Sequence, residues 1–434
     1  KYKGFCVIIV EREESLYFKP VEGINTIILY GTTFLALYAQ VFLIVSYFEN
    51  RDDIKMDEKK KAPKRYPTVS IIVPCWNEAN TIQKTVKSLL ALKYPKNKIE
   101  IMLVDDGSTD NTWEKMLEYK DNPRITLVKK ENGGKHTAVN LGIQTSKAEL
   151  IGCLDADSFV HPEALSRIVS YFEDKEVMSV APNVIIFDPK NPIQIAQRVE
   201  YFMGVFLKKV LGMIGGIHVT PGPFSFYRKD VFEKIGGFRS AHKTEDMEIA
   251  YRMQINGMKI VNCHKAFVYT YSPKTIKGLY KQRLRWIYGF IMNTFDYRKY
   301  LFNKKFGVFA MFTVPFGAVG LVAVVHLFVT LFSNSVAFAS SQINELSVRG
   351  INALEVSPKF DLFYVNTNLI TMLGITLYLV TMFTFIVGVK MSDEKIKFNS
   401  LGFVYFVLVY SFVAPFWILK AIYSAVVGRE VKWR

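Results

Sequence analysis

Long apolar stretches on either side of a charged middle constrain this 434-residue chain more than any other feature of its sequence. From Gly23 to Phe48 there are 26 residues without a charge, whereas about 20 helical residues suffice to cross a roughly 30 Å hydrocarbon layer. Comparable stretches cover 306–332, 362–389 and 398–427. The sequence therefore predicts a juxtamembrane segment (1–22), a first transmembrane helix (23–48), a basic linker (49–65) and three transmembrane helices near the C-terminus. Arg51, Lys55, Lys59, Lys60, Lys61, Lys64 and Arg65 follow the first span directly, where a cytoplasmic flank collects positive charge. A multi-pass cell-membrane protein with its central domain in the cytoplasm is the expectation.

The topology leaves one mismatch. Three crossings after a cytoplasmic domain would put the tail outside, yet the tail carries Arg429, Lys432 and Arg434. Either the last segment re-enters at Pro415 or one span is miscounted. Net charge alone separates little: +16 is compatible with nucleic acid, anionic lipid or a phosphate-rich substrate, and its clustering beside the first span favours membrane orientation over nucleic-acid binding. Cys6, Cys75, Cys153 and Cys263 lie far apart without a C-x-x-C pair, which argues against a zinc knuckle or a disulfide framework and fits a reducing compartment. The chain begins at Lys1 and reads as trimmed, so a preceding targeting segment or helix is compatible with it.

Residues 66–270 alternate β-rich runs (68–73, 99–104, 125–128, 150–154) with helical patterns (79–92, 112–119, 135–144, 162–172). That alternation predicts a Rossmann-like, mostly parallel α/β sheet with helices on both faces, whose ligands bind beyond the carboxyl ends of the strands. Two segments, 190–217 and 271–300, mix aromatic and apolar residues with Lys and Arg at helical spacing. They read as amphipathic helices in the membrane interface, although the same pattern also suits ordinary surface helices.

The chemistry-bearing groups fall where such a fold puts ligands. The first strand ends in Pro74-Cys75-Trp76-Asn77-Glu78 and the second in Asp105-Asp106-Gly107-Ser108-Thr109-Asp110; these groups suit hydrogen bonding to a base and ribose, or simply loop and helix-cap chemistry. A later strand leads to Asp155-Ala156-Asp157, whose hard carboxylate oxygens suit Mg²⁺ or Mn²⁺ on a diphosphate, though Asp-x-Asp is also common in turns. Thr244-Glu245-Asp246 opens a helix; it reads either as an N-cap Thr with acids compensating the helix dipole, or as the source of a general base. Gln282, Arg285 and Trp286 share one helix face; Arg can neutralise a departing phosphate and indole can stack on a sugar, or both can simply mark a membrane interface. His326, inside an apolar stretch, reads as a packed histidine or as part of a polar path for a product.

Taken together these motifs resemble family-2 glycosyltransferases of the GT-A fold, in the branch of cellulose, chitin, hyaluronan and poly-N-acetylglucosamine synthases. The resemblance covers about 66–300 and adds Asn132-Gly133-Gly134-Lys135 to Asn140, and Pro221-Gly222-Pro223-Phe224 through Tyr227-Arg228. It implies that Pro74, Glu78, Asp105, Asp106, Lys135 and Asp155 hold a UDP-sugar donor, and that Asp155 with Asp157 meets donor phosphate and Mg²⁺ or Mn²⁺. By the same resemblance Asp246, beside Glu245, is the base, and Gln282, Arg285 and Trp286 clamp the diphosphate and the acceptor sugar. The implied reaction is inverting transfer to a growing polysaccharide or glycan, with product translocation. Single transfer to a lipid-linked acceptor such as a polyprenyl phosphate or sphingolipid is the alternative within enzymes, and a nucleotide-sugar-binding scaffold or transporter subunit the one outside them.

Overall fold

The computed structural model describes residues 19–58, 63–349, 369–393 and 400–430. Its soluble part is built on eight strands: β1 (Val69–Cys75), β2 (Ile99–Asp106), β3 (Ile125–Lys130), β4 (Leu150–Cys153), β5 (Ser158–Val160), β6 (Val177–Ile186), β7 (Phe226–Arg228) and β8 (Lys259–Thr270). They form one sheet in the order β3-β2-β1-β4-β7-β6-β8-β5. The four strands legible in the sequence are parallel, β1 pairing with β2 and β4, and β2 with β3. The other half is mixed: β7 is antiparallel to β4 and β6, β5 is antiparallel to β8, and only β6 and β8 run parallel.

The helices are α1 (Lys19–Glu49), α2 (Arg51–Glu58), α3 (Ile82–Leu90), α4 (Thr112–Leu117), α5 (Lys135–Thr145), α6 (Ala164–Tyr171), α7 (Pro192–Met213), α8 (Lys229–Ile235), α9 (Glu245–Ile255), α10 (Ile276–Asp296), α11 (Val314–Arg349), α12 (Leu369–Met391) and α13 (Ser400–Val427). Side chains alternate across a strand, so β1 feeds two cores. Val69, Ile71 and Val73 join Ile82, Val86 and Leu89 of α3 and Leu165 and Ile168 of α6. Ile72 joins Met102 and Val104 of β2 with Ala138 and Val139 of α5 on the opposite face. Because Ile71 and Ile72 are wholly buried, truncating either to Ala would cost about 2–5 kcal/mol. The register sets Cys75 opposite Asp105 and Ile72 opposite Cys153. Three chain segments, 76–78, 106–110 and 154–157, thus leave the sheet at one edge.

The amphipathic segments are helical. α7 starts at Pro192, with Asn191 as its N-cap accepting the Gln194 N–H at 3.0 Å; Thr275 does the same for α10, from the Gly278 N–H at 3.1 Å. Four helices of the described residues are long and apolar enough to cross a membrane, covering Ile27–Glu49, Phe309–Val348, Met372–Met391 and Leu401–Val427. The second outruns the expected 306–332: a π-turn at Phe309–Thr313 leads into α11, which continues to Arg349, since no Gly or Pro interrupts it after Gly320. Of the stretch expected at 362–389, residues 362–368 lie outside the described residues, as do 1–18 of the juxtamembrane segment and 59–62 of the basic linker.

α12 meets α7 at a backbone contact that only glycine permits. A Cβ on Gly388 would lie 2.0 Å from the Phe202 carbonyl oxygen, whereas one on Gly374, in the same helix, meets nothing within 4 Å. Gly388→Ala should therefore lower stability in detergent by about 1–3 kcal/mol, read as a reduced thermal midpoint, while Gly374→Ala should leave the midpoint unchanged or raised.

Candidate active site

The loops after β1 and β2 are stitched to each other. The Asn77 N–H donates to Ser108 Oγ (3.0 Å), and Asn77 Oδ1 accepts from the Thr109 N–H (2.8 Å). The Glu78 N–H donates to Thr112 Oγ1 at 2.8 Å and its carboxylate accepts from Thr81 Oγ1 at 2.7 Å. Asp110 accepts from the Thr112 N–H and the Ala79 N–H; burial acts to raise its carboxyl, but these donors and the Thr112 hydroxyl hold it below the usual value. Pro74 sits inside β1, opposite Val104.

The two neighbouring aspartates of β2 are used differently. Asp106 accepts from Lys130 Nζ (2.6 Å) and from the N–H groups of Gly133 (3.1 Å) and Gly134 (2.9 Å), so it anchors the glycine loop that leads into α5. Gly134 has φ +90° there, a conformation that only glycine adopts readily. Asp105 is wholly buried; its Oδ1 accepts from the Ser108 N–H at 3.1 Å, while its Oδ2 is buried without a hydrogen-bond partner. A buried acceptor left unpaired costs about 1–3 kcal/mol. Asn140 belongs to the scaffold, closing two 2.8 Å hydrogen bonds with the backbone of Phe238.

At the centre lies Lys135, the first residue of α5, with its ammonium 2.7 Å from Asp155 and 3.0 Å from Glu245. Gly222 presses against this group: a Cβ there would lie 2.6 Å from Lys135 Nζ and 3.2 Å from Asp155 Oδ2. Thr220, Gly222, Tyr227, Glu245 and Asp246 enclose a small cavity around Lys135. Burial and the adjacent Glu245 push the Asp246 carboxyl up to about 6, against the pull of Lys135 and Arg285. Burial acts the same way on Glu245, yet Lys135 outweighs it and holds Glu245 below the usual value. Burial, then Asp155 and Glu78, push Asp157 up to about 6 as well. Asp155 thus bears on both Asp157 and Asp246 at the edge of the sheet.

A divalent cation fits that donor set. Asp155 and Asp157 offer hard oxygens, and their mutual repulsion is what a cation relieves. Among the described residues no group of three or more His, Cys, Asp or Glu side chains is disposed to hold a metal. Diphosphate oxygens and water would complete the coordination sphere.

The segment preceding Asp246 departs from the N-cap expectation. The Thr244 side chain makes no cap bond; it donates to the Ala241 carbonyl at 3.0 Å and accepts from Asn293 Nδ2 at 2.9 Å. Ala241, His242 and Lys243 all have positive φ (39°, 54° and 64°), and Arg285 donates to the Lys243 carbonyl at 2.8 Å. α10 can come this close because residue 289 is glycine: a Cβ there would lie 2.3 Å from Thr244 Oγ1. Arg285 also acts electrostatically on Glu245 and Asp246. Gln282 and Trp286 are tied to the intervening Arg283, whose guanidinium donates to Gln282 Oε1 at 3.2 Å and stacks 4.1 Å from the Trp286 ring centre.

The structure therefore gathers Lys135, Asp155, Glu245, Asp246 and Arg285 into one cluster, with Asp157 coupled to it through Asp155 and Glu78 coupled in turn to Asp157. Asp105 and Asp106 stand on the adjoining strand end, and Gln282 and Trp286 on the helix that carries Arg285. Sequence reasoning missed Thr220, which donates to the Asp246 carbonyl through its N–H (3.2 Å) and hydroxyl (3.0 Å), and also Gly289 and Asn293. A lone glycine inside a helical pattern was the available signal. His326 sits in α11 with its Nε2 buried and unpartnered.

The domain is similar to known proteins. Residues 70–236 match the model of glycosyl transferase family 2. A poly-beta-1,6-N-acetyl-D-glucosamine synthase of Staphylococcus aureus is 29% identical over 273 residues, which are 60% of this chain and 64% of that protein. The enzyme of the same name from Staphylococcus epidermidis is 31% identical over 224 residues, 51% of this chain and 54% of the relative. The chain thus aligns with somewhat under two thirds of the length of these relatives. A solved mannosyltransferase of Pyrobaculum calidifontis, in complex with GDP-Man and Mn²⁺, shares the fold with TM-score 0.56 at 16% identity, covering 92% of this chain and 100% of that one. Residues 70–236 form a family-2 glycosyl transferase domain on a GT-A-like sheet, flanked by apolar helices.

Proposed function

We propose that the chain transfers a sugar with inversion from a UDP-sugar to a growing polysaccharide or glycan at the membrane, depends on Mg²⁺ or Mn²⁺, and passes the product across. The observation that carries this reading is the placement of Asp246: a buried carboxyl held near pKa 6 between Glu245, Lys135 and Arg285. A base so tuned is ionised at pH 7 by about ten to one and still accepts a proton readily. Its proton comes from the acceptor hydroxyl, whose oxygen forms the new bond to the anomeric carbon as the bond from that carbon to the diphosphate breaks on the opposite face. Arg285 neutralises charge on the departing nucleotide, and Asp105 Oδ2 accepts from its base or ribose. A cation held by Asp155 and Asp157 would supply Lewis-acid stabilisation of the diphosphate. Similarity to the staphylococcal synthases supports a saccharide acceptor and a polymeric product.

Detergent-solubilised protein given a panel of nucleotide sugars with Mg²⁺ or Mn²⁺ should release nucleoside diphosphate and build a ladder or polymer. One defined lipid-linked product would replace polymerisation by single transfer, and no release with any donor would remove the enzymatic reading. Asp246→Asn should lower transfer by about 10²–10⁴-fold with donor affinity unchanged, whereas Asp157→Ala should weaken metal-dependent donor binding. Substantial transfer by Asp246→Asn would take the base role from this residue.

The pH profile has a definite sign. The base works deprotonated, so transfer should fall by about tenfold per pH unit below about 6, and a flat profile down to pH 5 would contradict the assignment. Gly289→Ala displaces the buried Thr244 and the acids that follow it, and it should lower transfer by about 10–100-fold and reduce the thermal midpoint as well.

A further inference from the structure

We infer that α13 does not cross the bilayer: it lies in the membrane interface on the side of the glycosyl transferase domain, so the described residues cross three times and the last of them return to that side. Each of the other apolar helices is attached to the domain at one end only. The π-turn and the start of α11 are buried at Phe309, Ala310 and Val314, whereas Val322, Val329, Phe332 and Val336 farther along are exposed, and α12 is exposed at Met372, Ile375 and Leu379 and buried at Phe385, Val387 and Met391. In α1, Tyr47 packs on Phe206 of α7, whereas Ile27 and Phe34 are exposed.

α13 is different, being buried near both of its ends. Gly402 and Phe403 are buried near its start and Pro415, Trp417, Ile418, Ala421 and Ser424 toward its end, positions that span about 33 Å at 1.5 Å per residue. At its start Phe403 shares a core with Ile185 of β6 and Phe267 of β8, beside Val199 of α7. Further along, Trp417, Ile418 and Ala421 share one with Leu279, Leu284 and Tyr288 of α10. Beyond its end, Glu430 lines a cleft with Arg239, Tyr297 and Tyr300. A helix whose two ends both rest on the soluble domain cannot also reach the far face of the membrane.

Two further observations agree. Lys265 of β8 holds Asp393, just past α12, at 2.6 Å. Only residues 394–399 separate Asp393 from Ser400, and such a link reaches about 25 Å when fully extended, short of the roughly 30 Å hydrocarbon layer. Midway along the helix, Tyr410 donates to Glu200 of α7 at 2.5 Å and accepts from Arg283 of α10 at 3.3 Å, completing the Glu200–Arg283 ion pair. That pair belongs at the interface, where its charges are solvated, and a spanning α13 would carry Tyr410 about 15 Å away from it. The opposite face, with Leu401, Val404, Leu408, Phe412, Phe416 and Val426 exposed, is continuous with the apolar spans and meets lipid hydrocarbon. This arrangement also puts Arg429 on the same side as Arg51 and Lys55, removing the charge mismatch that four crossings create.

Single-cysteine variants in sealed membrane vesicles test the assignment. With a membrane-impermeant maleimide, Lys120→Cys on the domain surface and Arg429→Cys after α13 should label from the same face, equally with and without detergent. Ser340→Cys, far along α11, should label from the other face. Arg429→Cys grouping with Ser340→Cys overturns the proposal. Fluorophores at positions 404 and 416 should also be quenched equally by shallow spin-labelled lipid, whereas deep quenching at one of them overturns it independently of labelling.

Discussion

The ammonium of Lys135 is the interaction on which the site depends. Asp155 and the adjacent Glu245 and Asp246 are brought together by two separate segments of chain, and buried carboxylates do not stay together without an opposing charge. Lys135 supplies it to Asp155 and Glu245 directly, and Arg285 supplies more from α10. The protein thus holds an anionic centre whose remaining repulsion is visible in the raised Asp157 and Asp246 carboxyls. The glycines are consequences of this crowding: Gly222 lets its loop reach the Lys135–Asp155 pair, and Gly289 lets α10 reach Thr244.

Chemistry and membrane attachment share one helix. α10 presents Arg285 to the acids, while the adjacent Arg283 turns to Glu200 of α7 and to Tyr410 of α13. A shift of α7, α10 or α13 in the interface is therefore felt one residue away from the group that faces the acidic cluster. Trp286, stacked on Arg283, is coupled to the same interface.

Much of this was legible in the residues. The parallel strands were readable because Ile71, Ile72 and Val73, and likewise Met102 to Val104, are continuous apolar runs that only a sheet covered on both faces buries. The acidic motifs were readable because they stand just past those runs. β5 and β7 were not, being three residues each and held by antiparallel pairing to strands far away in sequence. Asp105 and Asp106 are neighbours with different duties, which no spacing rule separates; only the partners of each carboxylate do. The Thr244 cap failed as an expectation because Ala241 and Asn293 compete for its hydroxyl. α13 has the length and apolarity of a span, and only its packing partners separate lying along the domain from leaving it.

The most direct test of the central claim is a structure of the protein with UDP and Mn²⁺ bound. The account predicts the diphosphate between Asp157 and Arg285, the cation on Asp155 and Asp157, the base or ribose donating to Asp105 Oδ2, and Asp246 facing open space where an acceptor hydroxyl can stand. Nucleotide bound away from the carboxyl ends of β1, β2 and β4, or a cation held without Asp155 and Asp157, would contradict it.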